Sequence, residues 1–561
     1  MNRTLAIVAG LAALAALPAA AQRKPAAQPE PPRLVENIDV RVINVDVIVT
    51  DRRGNFVPGL SKDDFEILEN GVPKTITNFY EVEGNRAKSL TAGEVGGQIS
   101  APAKEEEVPE EIKRRIIFYV DNLSLAPFNR NRVFTEMKTF LKSAMRPGDE
   151  AMVATYNRSM KVRVPFTRDQ AQIESILDSL AKESGLGVAN RSEMKTTQDR
   201  IRDARSYDDA LATARTYASS VEHDLRQGVA SLNALMSTLA GVDGKKILVL
   251  TSEGFPMQPG RDMFAFIEEI GREKGWVHTG ATTIEGMTYN GSQLIQSVAK
   301  TANANDITLY TVHAAGLQGN NEMSAENARP TSALVSHAAM SNTTESMQLM
   351  AQMTGGLASV NSNNFGAAFQ RIQKDLESYY SLGYRAGTER VDRQRYLQVR
   401  TKNRDLRVRN RQTFVEKSMY AEMTDRVVAS LLYRVKENDL GILARVGQPE
   451  PVEDRLFRVS VDIQIPMSSL TFLPQGETEH AGGFDVYVVV ANKDNDMSDV
   501  ARKSHQVRVP TADMAKIGSK FYTYTMDLLV ERGLNKISLG VVDQISNTSG
   551  FAREQIIAQN R

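Results

Sequence analysis

The chain has 561 residues, 41% hydrophobic and 24% charged, with 68 basic side chains against 68 acidic ones. That length exceeds what one hydrophobic core serves, so about two to four domains are expected. A net charge of zero argues against a general nucleic-acid binder, whose footprint is a basic face, and the absence of cysteine excludes disulfides, thiolate metal sites, a Cys nucleophile and a lipid-modified Cys.

Residues 1–21 have the pattern of a cleaved export leader. Arg3 gives a short positive start, Leu5 to Leu17 is apolar, Pro18 breaks the run, and Ala19-Ala20-Ala21 offers a small-residue cleavage site. The apolar run is shorter than the roughly 20 residues a spanning helix needs, and no later run reaches 18 apolar residues, so no membrane span is expected after cleavage. Residues 22–36 are rich in Pro, Ala, Gln and Lys and read as a flexible linker.

Residues 37–84 alternate. Ile38, Val40, Val42, Val45, Val47 and Val49 are apolar and β-branched, which is the period-two signature of a half-buried strand. Asp51 to Gly54 has turn chemistry, and Asn70-Gly71 between two apolar runs signals a hairpin. So few residues make a poor independent core. The alternating runs Arg395–Thr401 and Leu406–Val415, within 391–416, are candidates to complete it. Residues 85–111 are poor in apolar side chains, end in an acidic run, and read as a second linker.

Over 112–390 strands alternate with helices, which predicts a largely parallel sheet covered on both faces. Ile116–Val120, Ile247–Leu250 and Ile307–Val312 are continuous apolar runs suited to central strands. Residues 190–240 break the rhythm: Ile201, Leu211, Leu225, Val229, Leu232, Leu235 and Leu239 keep helical spacing, so this is helical mass beyond what the alternation needs. From Arg385 to Arg411 the chain is strongly basic, read as strands with Arg on a solvated face, with a polyanion or anionic-lipid patch as the alternative. Residues 420–561 return to alternating runs separated by turns, which predicts a C-terminal β-sandwich.

Three stretches in this order resemble the acidobacterial-type von Willebrand factor A-related proteins. They are the Val-rich strand with Val57-Pro58-Gly59-Leu60 and Glu69-Asn70-Gly71, then Ile116–Asp121, then Tyr379-Tyr380-Ser381-Leu382-Gly383-Tyr384 with the basic strands to Phe414. The resemblance covers about residues 37–415. It implies a doubly wound α/β fold with a mostly parallel six-stranded sheet and a ligand site at the carboxyl end of that sheet. Many type A domains hold a divalent cation there through Asp-x-Ser-x-Ser after the first strand, a Thr from a later loop and an Asp after the fourth strand. This chain departs from that pattern. Asp121 is in place, but Leu123 and Leu125 occupy the two Ser positions, and Thr251-Ser252-Glu253-Gly254 stands where the later Asp is expected. The candidate oxygen ligands are therefore Asp121, Asn122, Ser124, Ser252 and Glu253, with Mg²⁺ (or Mn²⁺ or Ca²⁺) as the ion; otherwise Asp121 caps the first helix or accepts loop N–H groups with no cofactor.

No sign of catalysis rises above chance. The six histidines form no HExxH, no GxSxG elbow occurs, and Ser179-to-Lys182, Ser192-to-Lys195 and Ser297-to-Lys300 lack companion motifs. The expected function is an exported, non-catalytic binding, adhesion or envelope-assembly protein that meets a protein partner at the rim of the α/β sheet. The alternatives are a structural envelope component, or a hydrolase using Asp121 and Glu253 as paired carboxylates.

Overall fold

The computed structural model describes residues 42–83, 86–89, 113–276, 281–317, 332–385, 391–433, 437–453 and 455–559. The leader, the first linker and most of the second fall outside the described residues.

The chain begins with β1 (Val42–Thr50), β2 (Phe65–Glu69), β3 (Val72–Lys74), β4 (Ile76–Glu83) and β5 (Arg86–Ser89). β5 lies where the sequence reads as linker. It pairs antiparallel with β4, from Tyr80↔Ser89 to Glu83↔Arg86, and so lengthens an existing strand edge rather than building a core of its own.

The α/β domain follows. Its elements are β6 (Arg114–Asp121), α1 (Pro127–Ala144), β7 (Glu150–Tyr156), β8 (Met160–Thr167), α2 (Gln170–Lys182), α3 (Gly187–Asp203), α4 (Tyr207–Thr238), β9 (Lys245–Ser252), α5 (Arg261–Lys274), α6 (Ala281–Met287), α7 (Ser292–Ala304), β10 (Ile307–His313), α8 (Ala333–Thr354), β11 (Ala358–Ser359) and α9 (Phe365–Glu377). The sheet order is β11-β10-β9-β6-β7-β8, parallel throughout except for the edge strand β8. The chain builds outward from β6 in one direction, then returns to β9 and builds outward in the other, so the switch point of a doubly wound sheet lies between β6 and β9.

Every residue of β6 is buried, which explains its unbroken apolar run. Alternation along the strand divides the domain core in two. Ile116, Phe118 and Val120 meet α1, α2 and α9 on one face. Ile117 and Tyr119 meet α4, α7 and α8 on the other. Burying each such side chain contributes about 1.5–3 kcal/mol.

α4 has 32 residues, a length of roughly 48 Å, about twice what a strand of this sheet spans. Its second half, from Leu225, packs on the sheet. Its first half passes beyond the carboxyl rim and builds a separate small core with α3, α5 and Val335, in which Ala210, Ala214, Ala218, Phe264 and Phe266 are buried. Asp262, in the first turn of α5, is buried beside that core, and burial pushes its carboxyl up to about 6 from 3.8, against hydrogen bonds from its own N–H and that of Met263. The folded state thus holds this proton more tightly than the unfolded chain does. Its contribution to stability is full below about pH 3.8 and is lost as pH rises toward about 6. Asp262→Asn should remove this fall, which urea unfolding followed from pH 3.5 to 7 would show as a flatter profile than wild type.

After α9 come β12 (Ser378–Arg385), β13 (Gln394–Thr401), β14 (Arg407–Arg409) and β15 (Thr413–Val415). They join the first strands in two sheets, ordered β14-β1-β12-β4-β5 and β15-β13-β2-β3. Val45, Val47, Phe65, Ile67, Phe79, Tyr380, Leu382, Leu397 and Phe414 share their core. The basic stretch is less solvated than its composition suggests. Arg395 is 2% exposed and lies between Glu69 (3.1 Å) and Glu416 (2.6 Å), Arg409 pairs with Asp375 (2.7 Å), and Arg411 pairs with Asp306. Arg400 and Arg407 do face solvent.

The remainder opens with a helix, α10 (Met419–Tyr433), where the sequence reads as β. It packs Met423, Val427 and Leu431 against Tyr487, Val489 and Phe551, and its Tyr433 hydroxyl lies 2.7 Å from the Thr238 hydroxyl at the end of α4. Then follow β16 (Leu443–Val446), β17 (Glu450–Glu453), β18 (Leu456–Pro466), β19 (Leu473–Gln475), β20 (Glu479–Ala491), β21 (Ala501–Pro510), β22 (Phe521–Glu531), β23 (Gly533–Asp543) and β24 (Ser549–Ala558). β16, β17 and β22 pair with β18; β19, β21 and β23 pair with β20, and β24 with β23. Phe457, Val459, Val461, Ile463 and Ile465 of the first sheet share a cluster with Phe484, Val486, Ile537 and Leu539 of the second. No helix among the described residues is long and apolar enough to cross a membrane.

Candidate functional site at the carboxyl rim of the sheet

Strand register assembles one row of polar side chains across the switch point. Asp121 pairs with Tyr156, Ser252 with His313, and Val120 with Thr251, so Tyr156, Asp121, Ser252 and His313 end four adjacent strands. Asp121 Oδ2 accepts the Ser124 hydroxyl at 2.7 Å and the Ser252 hydroxyl at 2.7 Å, and the two hydroxyl oxygens are 2.9 Å apart. Each hydroxyl also takes a loop amide: the Glu253 N–H donates to Ser124 (3.0 Å) and the Gly254 N–H to Ser252 (3.0 Å). Ser124, one residue off the resemblance's register, is thus brought to Asp121 by the turn itself, whose Ser124 and Leu125 N–H groups both donate to the Asp121 carbonyl.

Asp121 is 4% exposed, and burial raises its carboxyl above the usual range, opposed by the Ser124 and Ser252 hydroxyls. Its Oδ1 has no hydrogen-bond partner among the described residues, nor has His313 Nδ1. His313 is held below its usual value by burial, against the opposing charge and backbone carbonyl of Glu253.

Glu253 and Asn122 do other work. Glu253 Oε1 accepts the Ala126 N–H at the start of α1 (2.8 Å) and the Asn129 amide (3.0 Å), and its Oε2 accepts Arg191 of α3 (2.5 Å). A carboxylate at a helix N-terminus satisfies an otherwise unpaired N–H and meets the positive end of the helix dipole. Asn122 Oδ1 accepts Arg130 at 3.1 Å. Arg130 is fully buried and also donates to the carbonyls of Glu183 (2.7 Å) and Ala181 (3.3 Å).

These contacts close a strap over the rim. Leu186 N–H donates to the Asn122 carbonyl (3.0 Å) and the Asn190 amide to the Leu123 carbonyl (2.8 Å). Gly185 and Gly187 let it lie flush: a Cβ on Gly185 would stand 2.4 Å from the Leu125 oxygen, and one on Gly187 2.3 Å from the Ser124 oxygen. Of the five sequence candidates, the structure therefore brings Asp121, Ser124 and Ser252 into one oxygen cluster and turns Asn122 and Glu253 to neighbouring tasks. Sequence reasoning missed Arg130 and Arg191, and it read His313, at a strand end, as a packed residue rather than a ligand. The Gly-x-Gly at 185–187 was a readable signal of close backbone approach, whereas nothing marked Arg191 out among the charges of α3.

As a cation site the set fits poorly. One carboxylate oxygen, Asp121 Oδ1, has no partner among the described residues, both hydroxyls donate to Asp121 Oδ2 and accept loop amides, and Glu253 is committed to α1 and Arg191. Among the described residues no group of three His, Cys, Asp or Glu side chains could hold a metal ion.

No family model and no curated protein matches the chain. Solved structures similar to it include a von Willebrand factor type A protein from Catenulispora acidiphila (10% identity, covering 88% of this chain and 73% of that one, TM-score 0.22). An aerotolerance-related membrane protein from Bacteroides fragilis is similar at 12% identity over 47% of this chain and 98% of that one (TM-score 0.22). BatB from Bacteroides thetaiotaomicron is similar at 10% identity over 47% and 98% (TM-score 0.21). Likeness this slight assigns neither family nor function, and the strand order of the sheet stands as the description of the fold.

Proposed function

We propose that this is an exported, non-catalytic binding protein that meets a protein partner at the carboxyl rim of the α/β sheet, without a metal ion in the contact. The observation that carries this reading is the exposed surface beside the closed acidic cluster. Phe128 in the first turn of α1 is 75% exposed and Leu317, just past β10, is 63% exposed. They are joined through Arg132, whose guanidinium lies 5.8 Å from the Phe128 ring and donates to the Asn363 carbonyl, while the Asn363 side chain accepts the Leu317 N–H (3.1 Å). An exposed aromatic ring beside a half-buried Arg in one patch offers the residue types that dominate binding energy at protein interfaces.

Glu253 is a poor general base in this setting, since both its oxygens accept hydrogen bonds, one from a guanidinium. The paired-carboxylate hydrolase is therefore disfavoured. Asp121 Oδ1, without a hydrogen-bond partner among the described residues, is what favours a cation. The two C-terminal sheets are read as a sandwich anchored to the α/β domain through α10.

A photo-crosslinking residue at position 128 or 317 should give a discrete protein adduct in the envelope fraction of the source cell. The same residue at the exposed Thr139, lower on α1, should not, and Arg132→Glu should abolish the adducts. Equal labelling at all three positions would remove the rim from consideration.

A further inference from the structure

β22 is an edge strand without the usual protection. It is 11 residues long, and its pairing with β18 runs from Leu456↔Glu531 to Pro466↔Phe521 without a register shift. Among the described residues it pairs with no other strand. Natural sheets shield such edges with Lys, Pro, bulges, short strands or a covering segment. The other edges here follow that rule. β21 carries exposed Arg502, Lys503, Arg508 and Pro510. β17 is four residues long with Pro451 and a register shift. β24 is covered at Gly550 and Phe551 by the segment around Asn438. β22, reading Phe-Tyr-Thr-Tyr-Thr-Met-Asp-Leu-Leu-Val-Glu, has no Lys, Arg or Pro and is rich in β-forming residues.

The strand that fits this edge can be specified by charge. Tyr522 and Tyr524 point inward onto the second sheet, Tyr522 against Phe484 and Tyr524 against His505, with ring centroids 5.2 and 4.3 Å apart. Lys503 lies 5.8 Å from the Tyr524 ring and has no salt bridge among the described residues. A strand added to β22 would turn alternate side chains inward, the one beside Tyr524 toward Lys503, and the others to the solvent face, where Asp527 and Glu531 already stand. We propose that β22 is a docking edge for an extended peptide segment of a partner protein, with an acidic side chain at the inward-facing position beside Tyr524 and uncharged or basic ones on the outer positions. A second copy would offer this edge no acidic inward-facing side chain, since Tyr522, Tyr524, Met526, Leu528 and Val530 fill those positions of β22, so a second copy is not the occupant.

The test uses the full chain and a synthetic nine-residue peptide alternating Glu and Thr, with an alternating Lys and Thr peptide as control. The Glu peptide should bind and slow amide exchange across 521–531, and the Lys peptide should bind more weakly. Methylating the backbone nitrogens of one alternate set of the peptide should abolish binding, and methylating the other set should not. Lys503→Glu should weaken the Glu peptide about fivefold, an exposed ion pair being worth up to about 1 kcal/mol. Unprotected 521–531 amides, equal affinity for the two peptides, or a dimer that protects these amides without peptide would each overturn the proposal.

Discussion

Replacing Arg130 with methionine should lower the unfolding free energy by about 2–4 kcal/mol, from the buried neutral acceptors it would strand. Methionine keeps most of the apolar volume, so packing loss is small. The cost comes from the groups left behind: the Asn122 side-chain oxygen and the Glu183 carbonyl lose this donor, while the Ala181 carbonyl keeps the Asn131 amide at 3.1 Å. Each buried polar atom stranded without a partner costs about 1–3 kcal/mol. Urea unfolding would measure the loss, and amide exchange would place it, with 183–191 opening before the sheet does. A loss under about 1 kcal/mol would mean that the strap does not depend on Arg130.

Gly187→Val should cost about 2 kcal/mol, although a simple helix argument points the other way. Gly187 is the first residue of α3, and helix propensity favours a side chain over glycine by up to about 1 kcal/mol. The clash is larger. A Cβ would meet the Ser124 oxygen at 2.3 Å, the Leu125 carbonyl carbon at 2.5 Å and the Ala126 nitrogen at 2.7 Å. These are backbone atoms that cannot rotate away, and overpacking costs about 1–3 kcal/mol. The strap must lift, which breaks Leu186 from Asn122, Asn190 from Leu123 and Arg191 from Glu253. Faster amide exchange at 121–126 together with a lowered thermal midpoint is the expected result; an unchanged midpoint would show that α3 sits on the rim loosely.

The central strands were legible in the sequence because burial on both faces forces unbroken apolar runs, as in Ile116–Val120 and Ile247–Leu250. The extra helical mass was legible because α4 keeps one apolar stripe across two cores. α10 was missed because its apolar residues, Met423, Val427 and Leu431, sit in a short segment flanked by strand patterns, and the partners that make it a helix lie far away at Tyr487 and Phe551. The rim was legible only in part. Asp121 and Ser252 stand at strand ends, where register fixes their neighbours. The roles of Asn122 and Glu253 depend on which donors reach them, Arg130 and Arg191, and no spacing rule encodes a contact across 62 residues of chain such as that between Arg191 and Glu253. The basic stretch misled for the same reason: Arg395, Arg409 and Arg411 find their carboxylates only in the folded chain.

The most direct test is thermal unfolding of the full chain in Mg²⁺, in Mn²⁺ and in chelator, for wild type and Asp121→Ala. A ligand bound to the native state at a hundred times its dissociation constant adds about 2.7 kcal/mol, a shift that is easily read. A rim in which Glu253 is committed to α1 and Arg191 and a single Asp121 oxygen is left over predicts one midpoint for wild type in all three conditions, and a lower one for Asp121→Ala that is equally indifferent to the ion. A wild-type midpoint that rises with Mg²⁺ or Mn²⁺, falls with chelator and loses that response in Asp121→Ala would contradict it and make the rim a cation-dependent binding site.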